Sequence, residues 1–199
     1  MKLKQASLSA LLILGVSTVV TLAREEDMEK VKTEYGFSTW EASRTNDSAM
    51  VTNWIPDLEA IGATNVVLYN RQAETSGVTS VDYNCALRQE GQSVRVLICV
   101  TQRQSGSQAH EEMMKGIARG SIRVGPERLR TDSVELKIGD RCMAGRANQE
   151  IRALTFFRKN VYVKVMAVSG HPDIKKLASA LDEQILQGIR GRQVGKSIH

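Results

Sequence analysis

Two neighbouring segments with strict alternation of apolar and polar residues constrain this chain most. Apolar side chains stand at every second position in 81–87 and again in 94–100, and the polar residues 89–92 lie between them. Alternation with a period of two predicts half-buried strands, and the short polar stretch predicts a hairpin turn. Only one register places every apolar residue on the same face. It pairs Leu87 with Val94, Cys85 with Val96, Tyr83 with Ile98 and Val81 with Val100.

A second hairpin is predicted around Lys159-Asn160, because asparagine accepts the positive φ that a two-residue turn requires. In that hairpin Leu154 faces Val165 and Phe156 faces Val163. Two helices are also predicted. Ser107 is expected to cap the first, which reaches Ala118. Pro172 is expected to open the second, an amphipathic helix closed by Gly188 or Gly191.

The order of these elements predicts an α+β fold, in which an antiparallel sheet of two hairpins and extra strands packs with two or three helices. A further strand is expected at 134–138. The chain of 199 residues contains three prolines and no repeat or linker composition. We therefore expect one domain over residues 24–199, with a charged N-terminal segment and a basic C-terminal tail.

The first 23 residues have the order of a secretory signal peptide. A basic start with Lys2 and Lys4 precedes an apolar stretch, residues 6–23, which is followed by the charged residues 24–27. Cleavage before Arg24 is expected. The alternative is an uncleaved anchor, since 18 residues come close to the roughly 20 that a spanning helix needs. Either reading predicts an exported protein that is periplasmic, envelope-associated or secreted.

Three cysteines in an exported chain predict one disulfide and one free thiol. In the register of the first hairpin, Cys99 lies opposite Asp82 and on the other face from Cys85. Cys142 is therefore the expected partner of one of them. The candidates for the disulfide are Cys85, Cys99 and Cys142.

No complete catalytic or metal-binding motif is present. His110-Glu111-Glu112 begins like a zinc-protease motif, but Met114 stands where the second histidine is required. His110 is therefore expected on a solvated helix surface, as are the carboxylates of Asp182 and Glu183. Cys142 follows Arg141, a cation that could activate a thiol. A small hydrolase or thiol enzyme around Cys142 or His110 is one alternative for the function, and no cofactor or metal is expected.

A cluster of arginines is the candidate binding site. Four of them fall within 12 residues, in a stretch that contains Gly120, Gly125 and Pro126. Arginines in such a segment can recognise carboxylate or phosphate groups. The competing interpretation is a solvated loop balanced by Glu127, Asp132 and Glu135. The candidate ligand-binding residues are Arg119, Arg123, Arg128 and Arg130.

The second half of the chain resembles small exported bacterial proteins with a PsbP-like domain. The likeness rests on Gly139-Asp140-Arg141, on residues 156–163 and on the final helix, and it covers about residues 78–188. The resemblance implies an antiparallel sheet between helices and an accessory or binding role without catalysis. It transfers no functional residue.

Together these observations predict an exported, non-catalytic accessory or binding protein of the cell envelope. The net charge of +5, two charges of which belong to the leader lysines, gives no case for nucleic acid. The expected partner is an unknown envelope protein or an anionic surface, and residues 6–23 would add a membrane anchor if retained. The alternative that the arginines favour is an anion-binding or membrane-surface-binding module.

Overall fold

The computed structural model describes residue 33 and residues 50–73, 79–89, 91–118, 123–124, 127–128, 130–133 and 136–196. The chain divides into two compact units. The larger comprises residues 41–113 and 122–199, and the smaller comprises residues 1–40 and 114–121. Of the smaller unit, residue 33 and the end of one helix are described, where Met114 and Ile117 are buried. The predicted leader, residues 1–23, lies outside the described residues.

The larger unit is built on a seven-stranded antiparallel sheet, which confirms the α+β class. In chain order the elements are β1 (Ala63–Ala73), β2 (Thr79–Gln89), β3 (Gln92–Gln102), α1 (Gly106–Ala118), β4 (Arg123–Val124), β5 (Glu127–Arg128), β6 (Arg130–Ser133), β7 (Arg141–Ala147), β8 (Glu150–Arg158), β9 (Val161–Ser169) and α2 (Ile174–Lys196). The order across the sheet is β1-β2-β3-β9-β8-β7-β6, and β4 pairs with β5 apart from it.

Both predicted hairpins have the predicted register. Leu87 pairs with Val94 and Cys85 with Val96 between β2 and β3. Leu154 pairs with Val165 and Phe156 with Val163 between β8 and β9. The two hairpins are joined through β3 and β9, so that the four most regular strands form the centre of the sheet.

One face of the sheet carries the main core. Alternate residues of β2, β3, β9 and β8 project to this face, where α2 covers them with Leu177, Leu181 and Ile185. Burial of each such aliphatic or aromatic side chain contributes about 1.5–3 kcal/mol. The buried strand residues include Cys85, Val96, Ile98, Val163, Val165, Leu154 and Phe156.

The opposite face is covered in part by α1. His110 on α1 lies against Phe157 on β8, with a distance of 5.2 Å between the ring centroids. Met113 and Phe157 are both fully buried. Because successive strand residues project to opposite faces, Phe156 and Phe157 serve the two sides of the sheet.

The turn of the second hairpin differs from the prediction in one residue. Lys159, not Asn160, has the positive φ, 54°. The amide of Asn160 is buried and bonds the chain that precedes β1: Oδ1 accepts from the N–H of Val51 at 2.9 Å, and Nδ2 donates to the carbonyl of Val51 at 2.8 Å. Nδ2 also donates to the carbonyl of Arg103 at 2.7 Å. The buried asparagine thus holds residues 50–54 against the end of the sheet.

The helices also begin and end differently from the prediction. Ser105, not Ser107, caps α1, since its hydroxyl accepts from the N–H of Gln108 at 3.2 Å. α2 continues through Gly188 and Gly191 to Lys196. A Cβ on Gly188 would lie 3.5 Å from Trp54, so this glycine permits close approach and does not end the helix. Of the strand expected at 134–138, residues 134–135 lie outside the described residues and 136–138 are not in a strand, while β6 covers residues 130–133.

The predicted disulfide is wrong: all three cysteines are free thiols. Cys142 lies on β7, which three strands separate from Cys85 on β2 and two strands separate from Cys99 on β3. At about 4.8 Å per strand, these separations are about 19 Å and 14 Å along the sheet, beyond the 7 Å limit for Cα atoms of a disulfide. Cys85 and Cys99 project to opposite faces, as their pairing with Val96 and Asp82 requires. In the described part of the chain, no helix is long and apolar enough to cross a membrane.

Candidate functional site

The thiols lie in surroundings that suppress their reactivity. Burial raises the pKa of Cys85 to about 11. Burial, together with the charge of Asp182, raises the pKa of Cys142 to about 12. An activated thiol needs the opposite shift, toward neutral pH. The arginine next to Cys142 in sequence therefore does not produce a nucleophile there.

Cys99 lies in a row of polar side chains on the face that α1 partly covers. Its neighbours across the strands are Asp82 on β2 and Lys164 on β9. Burial raises its pKa to about 12; Lys164 lowers that value, while the charge and hydrogen bond of Asp82 raise it. Burial therefore outweighs the single favourable charge, and this thiol too is held in its neutral form at neutral pH.

His110 is buried, contrary to the expectation of a surface histidine. Only 6% of the residue is exposed, because α1 presents it to Phe157 and not to solvent. Burial, with a smaller contribution from the charge of Arg141, lowers the pKa of His110 to about 4. The imidazole is therefore neutral at pH 7. Within the described residues, no three His, Cys, Asp or Glu side chains are placed to hold a metal ion.

Asp182 is also buried, against the expectation of a solvated outer face, while its neighbour Glu183 is exposed. Arg158 donates two hydrogen bonds to it, Nε to Oδ1 at 2.8 Å and Nη2 to Oδ2 at 2.6 Å. The backbone N–H of Gly139 donates a third, at 2.9 Å. These bonds with Asp182 are the main reason that the pKa of Arg158 is raised. The carboxylate is thus fully engaged in packing α2 on the sheet.

Asp140 completes this group, which we call the Asp182 cluster: Asp182, Arg158, Asp140 and Gly139. Asp140 accepts from Arg158 Nη1 at 3.0 Å and from the N–H of Lys159 at 2.6 Å. The Gly139-Asp140 motif therefore has a structural role, since it joins the start of β7 to the turn between β8 and β9. Every charge in the cluster has an opposite charge beside it.

A second group of charged residues is defined by strand register. Arg123 on β4 is the register partner of Arg128 on β5. Arg130 on β6 is the register partner of Arg146 on β7. We call these four residues the arginine pairs. Directly opposite residues of an antiparallel pair share a face, with Cβ atoms about 4.5–5.5 Å apart, and like charges in those positions are destabilising.

The fold therefore pairs two of the four predicted site residues, Arg123 and Arg128, and pairs a third, Arg130, with Arg146, which the sequence did not indicate. Arg119 lies outside the described residues. Arg146 was missed because β7 has consecutive buried residues at 142–145, and no alternation marks it as a strand. Asn148 and Gln149 have positive φ and form the turn from β7 to β8. Asn148 is the one residue in this stretch of sequence that indicates the turn.

Three acidic residues were expected to balance the charge of the arginines, and two of them lie in described strands. Glu127 pairs with Val124, one position away from the Arg123–Arg128 pair. Asp132 pairs with Ala144, two positions along β6 from Arg130. Glu135 lies outside the described residues. In the described strands, therefore, neither acid is the register partner of an arginine.

Comparison with known proteins provides no assignment. No family model, no curated protein and no solved structure matches this chain.

Proposed function

We propose that this protein is an exported, non-catalytic binding protein of the cell envelope, and that the arginine pairs bind an anionic ligand. The single observation that carries the proposal is the cross-strand register, which sets Arg123 opposite Arg128 and Arg130 opposite Arg146. The chain thus holds two like-charged pairs where unlike or neutral residues would be more stable.

A bound anion gives these positions a physical reason. Guanidinium groups donate several hydrogen bonds in a fixed fork and are suited to phosphate and carboxylate. An anion between two arginines replaces their mutual repulsion by two attractive interactions. Stability lost in the free protein is then recovered on binding.

The side chains that could serve catalysis have structural surroundings instead. The three thiols have raised pKa values. His110 is buried against Phe157, and Asp182 is engaged by Arg158. The alternative of a small hydrolase or thiol enzyme around Cys142 or His110 has correspondingly less support than a binding function.

The PsbP-like arrangement, export and placement at the envelope are parts of the same proposal. Helices on both faces of an antiparallel sheet are compatible with the resemblance noted in residues 78–188. Export rests on the order of basic, apolar and charged residues in 1–27. An accessory protein outside the cytoplasm would meet anionic polymers and lipid headgroups rather than nucleotides.

The test is binding of full-length protein to long-chain inorganic polyphosphate, followed by fluorescence anisotropy at two salt concentrations. The Arg123→Ala/Arg128→Ala variant should bind at least tenfold more weakly and with a shallower salt dependence. The matched control is Arg88→Ala/Arg95→Ala, which also removes two arginines from paired strands, but from positions that are not opposite one another. Equal weakening in both variants would refute a specific site, as would the absence of any binding to wild type.

A further inference from the structure

We infer that one end of a sheet face docks on a surface of anionic lipid headgroups. This part of the molecule, which we call the open end, combines accessible apolar side chains with two arginines on the face that α1 covers in part. Its residues are Val67, Leu97, Met166, Val168, Arg88 and Arg95. The inference goes beyond the proposed function, because it assigns a lipid to a second surface and does not involve the arginine pairs.

Strand register places the apolar residues of the open end side by side. Val67 pairs with Asn84 on β2, and Leu97 on β3 pairs with Met166 on β9. Asn84 and Leu97 are register partners as well, so that one row crosses four strands. At about 4.8 Å per strand, this row is about 14 Å long. Val168 lies two residues further along β9 and on the same face.

The open end lies away from the contact between α1 and the sheet. α1 contacts Phe157, which is four residues, or about 13 Å, along β8 from Ala153. Ala153 is the register partner of Met166. At the open end, 58% of Val67 and 49% of Val168 are exposed. Apolar side chains that are exposed as a group, rather than singly, mark an interaction surface.

The charge of the open end has a single sign. The strand segments that form it contain two charged residues, Arg88 and Arg95, and no acid. These segments are residues 63–68, 83–89, 92–98 and 165–169.

Both arginines belong to the face of the apolar row. Arg95 pairs with Ala86, and Arg88 lies two residues further along β2. Both side chains are exposed, and Arg95 Nη2 donates to Asn84 Oδ1 at 3.2 Å, which holds that guanidinium beside the row. A surface that is both cationic and apolar is complementary to anionic headgroups above acyl chains.

The same features favour a lipid over the other possible occupants. A stable protein partner covers about 20–30 residues on each side of an interface, and the open end is much smaller. A second copy docked through the same surface would bring Arg88 and Arg95 toward their own counterparts, and like charges oppose association. A soluble polyanion has no apolar part to cover Val67 and Val168. Lipid binding needs only apolar burial and electrostatic attraction, which add.

The experiment is co-sedimentation of full-length protein with vesicles of phosphatidylcholine alone and with vesicles of equal parts phosphatidylcholine and phosphatidylglycerol. Each arginine near an anionic surface contributes about fivefold in affinity. Wild type should therefore bind the mixed vesicles at least about tenfold more tightly than the neutral ones. Residues 6–23 are present in every variant, so differences between variants report the open end alone.

A charge variant tests the electrostatic part. Arg88→Ala/Arg95→Ala should bind mixed vesicles at least about tenfold more weakly and with a shallower salt dependence. The matched control is Lys175→Ala/Lys176→Ala, which removes two exposed cations from α2, the helix that covers the other face. The control should bind like wild type, and circular dichroism verifies folding of both variants.

An apolar variant tests the contact with acyl chains. Val67→Thr/Val168→Thr keeps the β-branched shape at two exposed strand positions and should lower affinity for mixed vesicles about fivefold, at low and at high salt. Ile55→Thr, at an exposed apolar residue outside the sheet, is the control and should bind like wild type.

Other results would overturn the inference. Wild type that binds neither kind of vesicle, or variants that all bind like wild type, would exclude lipid docking at the open end and leave the proposed function of the arginine pairs intact. Loss of mixed-vesicle binding in Arg123→Ala/Arg128→Ala alone would assign the lipid to the arginine pairs. Self-association in sedimentation velocity that Val67→Thr/Val168→Thr abolishes, without vesicle binding, would replace the lipid by a second copy.

Discussion

The Asp182 cluster and the arginine pairs are two charged regions that differ in the sign of the charges placed next to each other. In the Asp182 cluster, each carboxylate accepts from Arg158 and from a backbone N–H, and 4% of Asp182 is exposed. In the arginine pairs, the strand register sets like charges opposite each other. The contacts of the first region stabilise the fold, whereas like charges at directly opposite strand positions are in general destabilising. The contrast separates residues that hold the fold together from residues for which we propose a partner outside the chain.

The largest expected effect concerns the first region. Asp182→Ala leaves Arg158 largely buried beside the single remaining acid Asp140, and removal of one partner from a buried ion pair destabilises by about 3–5 kcal/mol. We expect about 3 kcal/mol in urea unfolding, because 17% of the Arg158 side chain is exposed. Glu183→Ala, at the exposed neighbouring position, should have little effect. Similar small losses for both variants would contradict a structural role of the cluster.

The stability of the fold should also depend on pH, and this sharpens the comparison. Once the imidazole of His110 is protonated, His110 and Arg141 become a pair of like charges. The pKa of His110 in the folded protein, about 4, lies below its ordinary value of 6.5. The stability from the neutral imidazole is therefore complete above pH 6.5 and is lost as the pH falls toward 4. The loss should reach roughly 3 kcal/mol.

Urea unfolding at pH 7 and at pH 4.5 measures this effect. His110→Gln should remove most of the difference between the two pH values, whereas His171→Gln, at an exposed histidine, should keep it. An unchanged pH dependence in His110→Gln would show that other groups are responsible.

A substitution in the Gly139-Asp140 motif should lower stability by a smaller amount, and a second glycine provides a matched control. Gly139 has a φ of +69°, and an added Cβ would lie 2.6 Å from the carbonyl oxygen of Phe157. Gly91 has a φ of +79° with nothing within 4 Å. Both alanine variants share the backbone cost, so their difference isolates the steric contact. We expect Gly139→Ala to be about 2 kcal/mol less stable than Gly91→Ala in thermal unfolding. Equal losses would mean that the backbone alone requires glycine.

The regular part of the fold could be predicted from the sequence because burial on one face of a strand leaves a period of two. The register of β2 with β3 follows from that pattern alone, with Cys85 opposite Val96. β7 leaves no such pattern, since Cys142, Met143 and Ala144 are buried on both faces. A strand without alternation cannot be distinguished from other buried segments by periodicity.

The site could be predicted only as a cluster in sequence. Arg123, Arg128 and Arg130 are close along the chain, so the sequence alone predicts a cluster of arginines. Their pairing, and the contribution of Arg146 from a distant strand, depend on the register of β4–β5 and β6–β7. The burial of Asp182 was not predicted. Asp182 lies between Leu181 and Glu183, at the edge of the apolar face of α2, where the sequence pattern does not determine whether a side chain is buried or exposed.

The central claim is that the arginine pairs lower stability in the free protein and raise it when an anion binds. The most direct test is thermal unfolding of wild type and Arg123→Ala/Arg128→Ala, with and without long-chain polyphosphate. Without the polymer, the variant should be as stable as wild type or a few tenths of a kcal/mol more stable. With the polymer, wild type should gain several degrees in Tm and the variant much less, since a ligand stabilises only the state that binds it. A variant that is less stable without polymer, or one that gains as much as wild type with it, would contradict the claim.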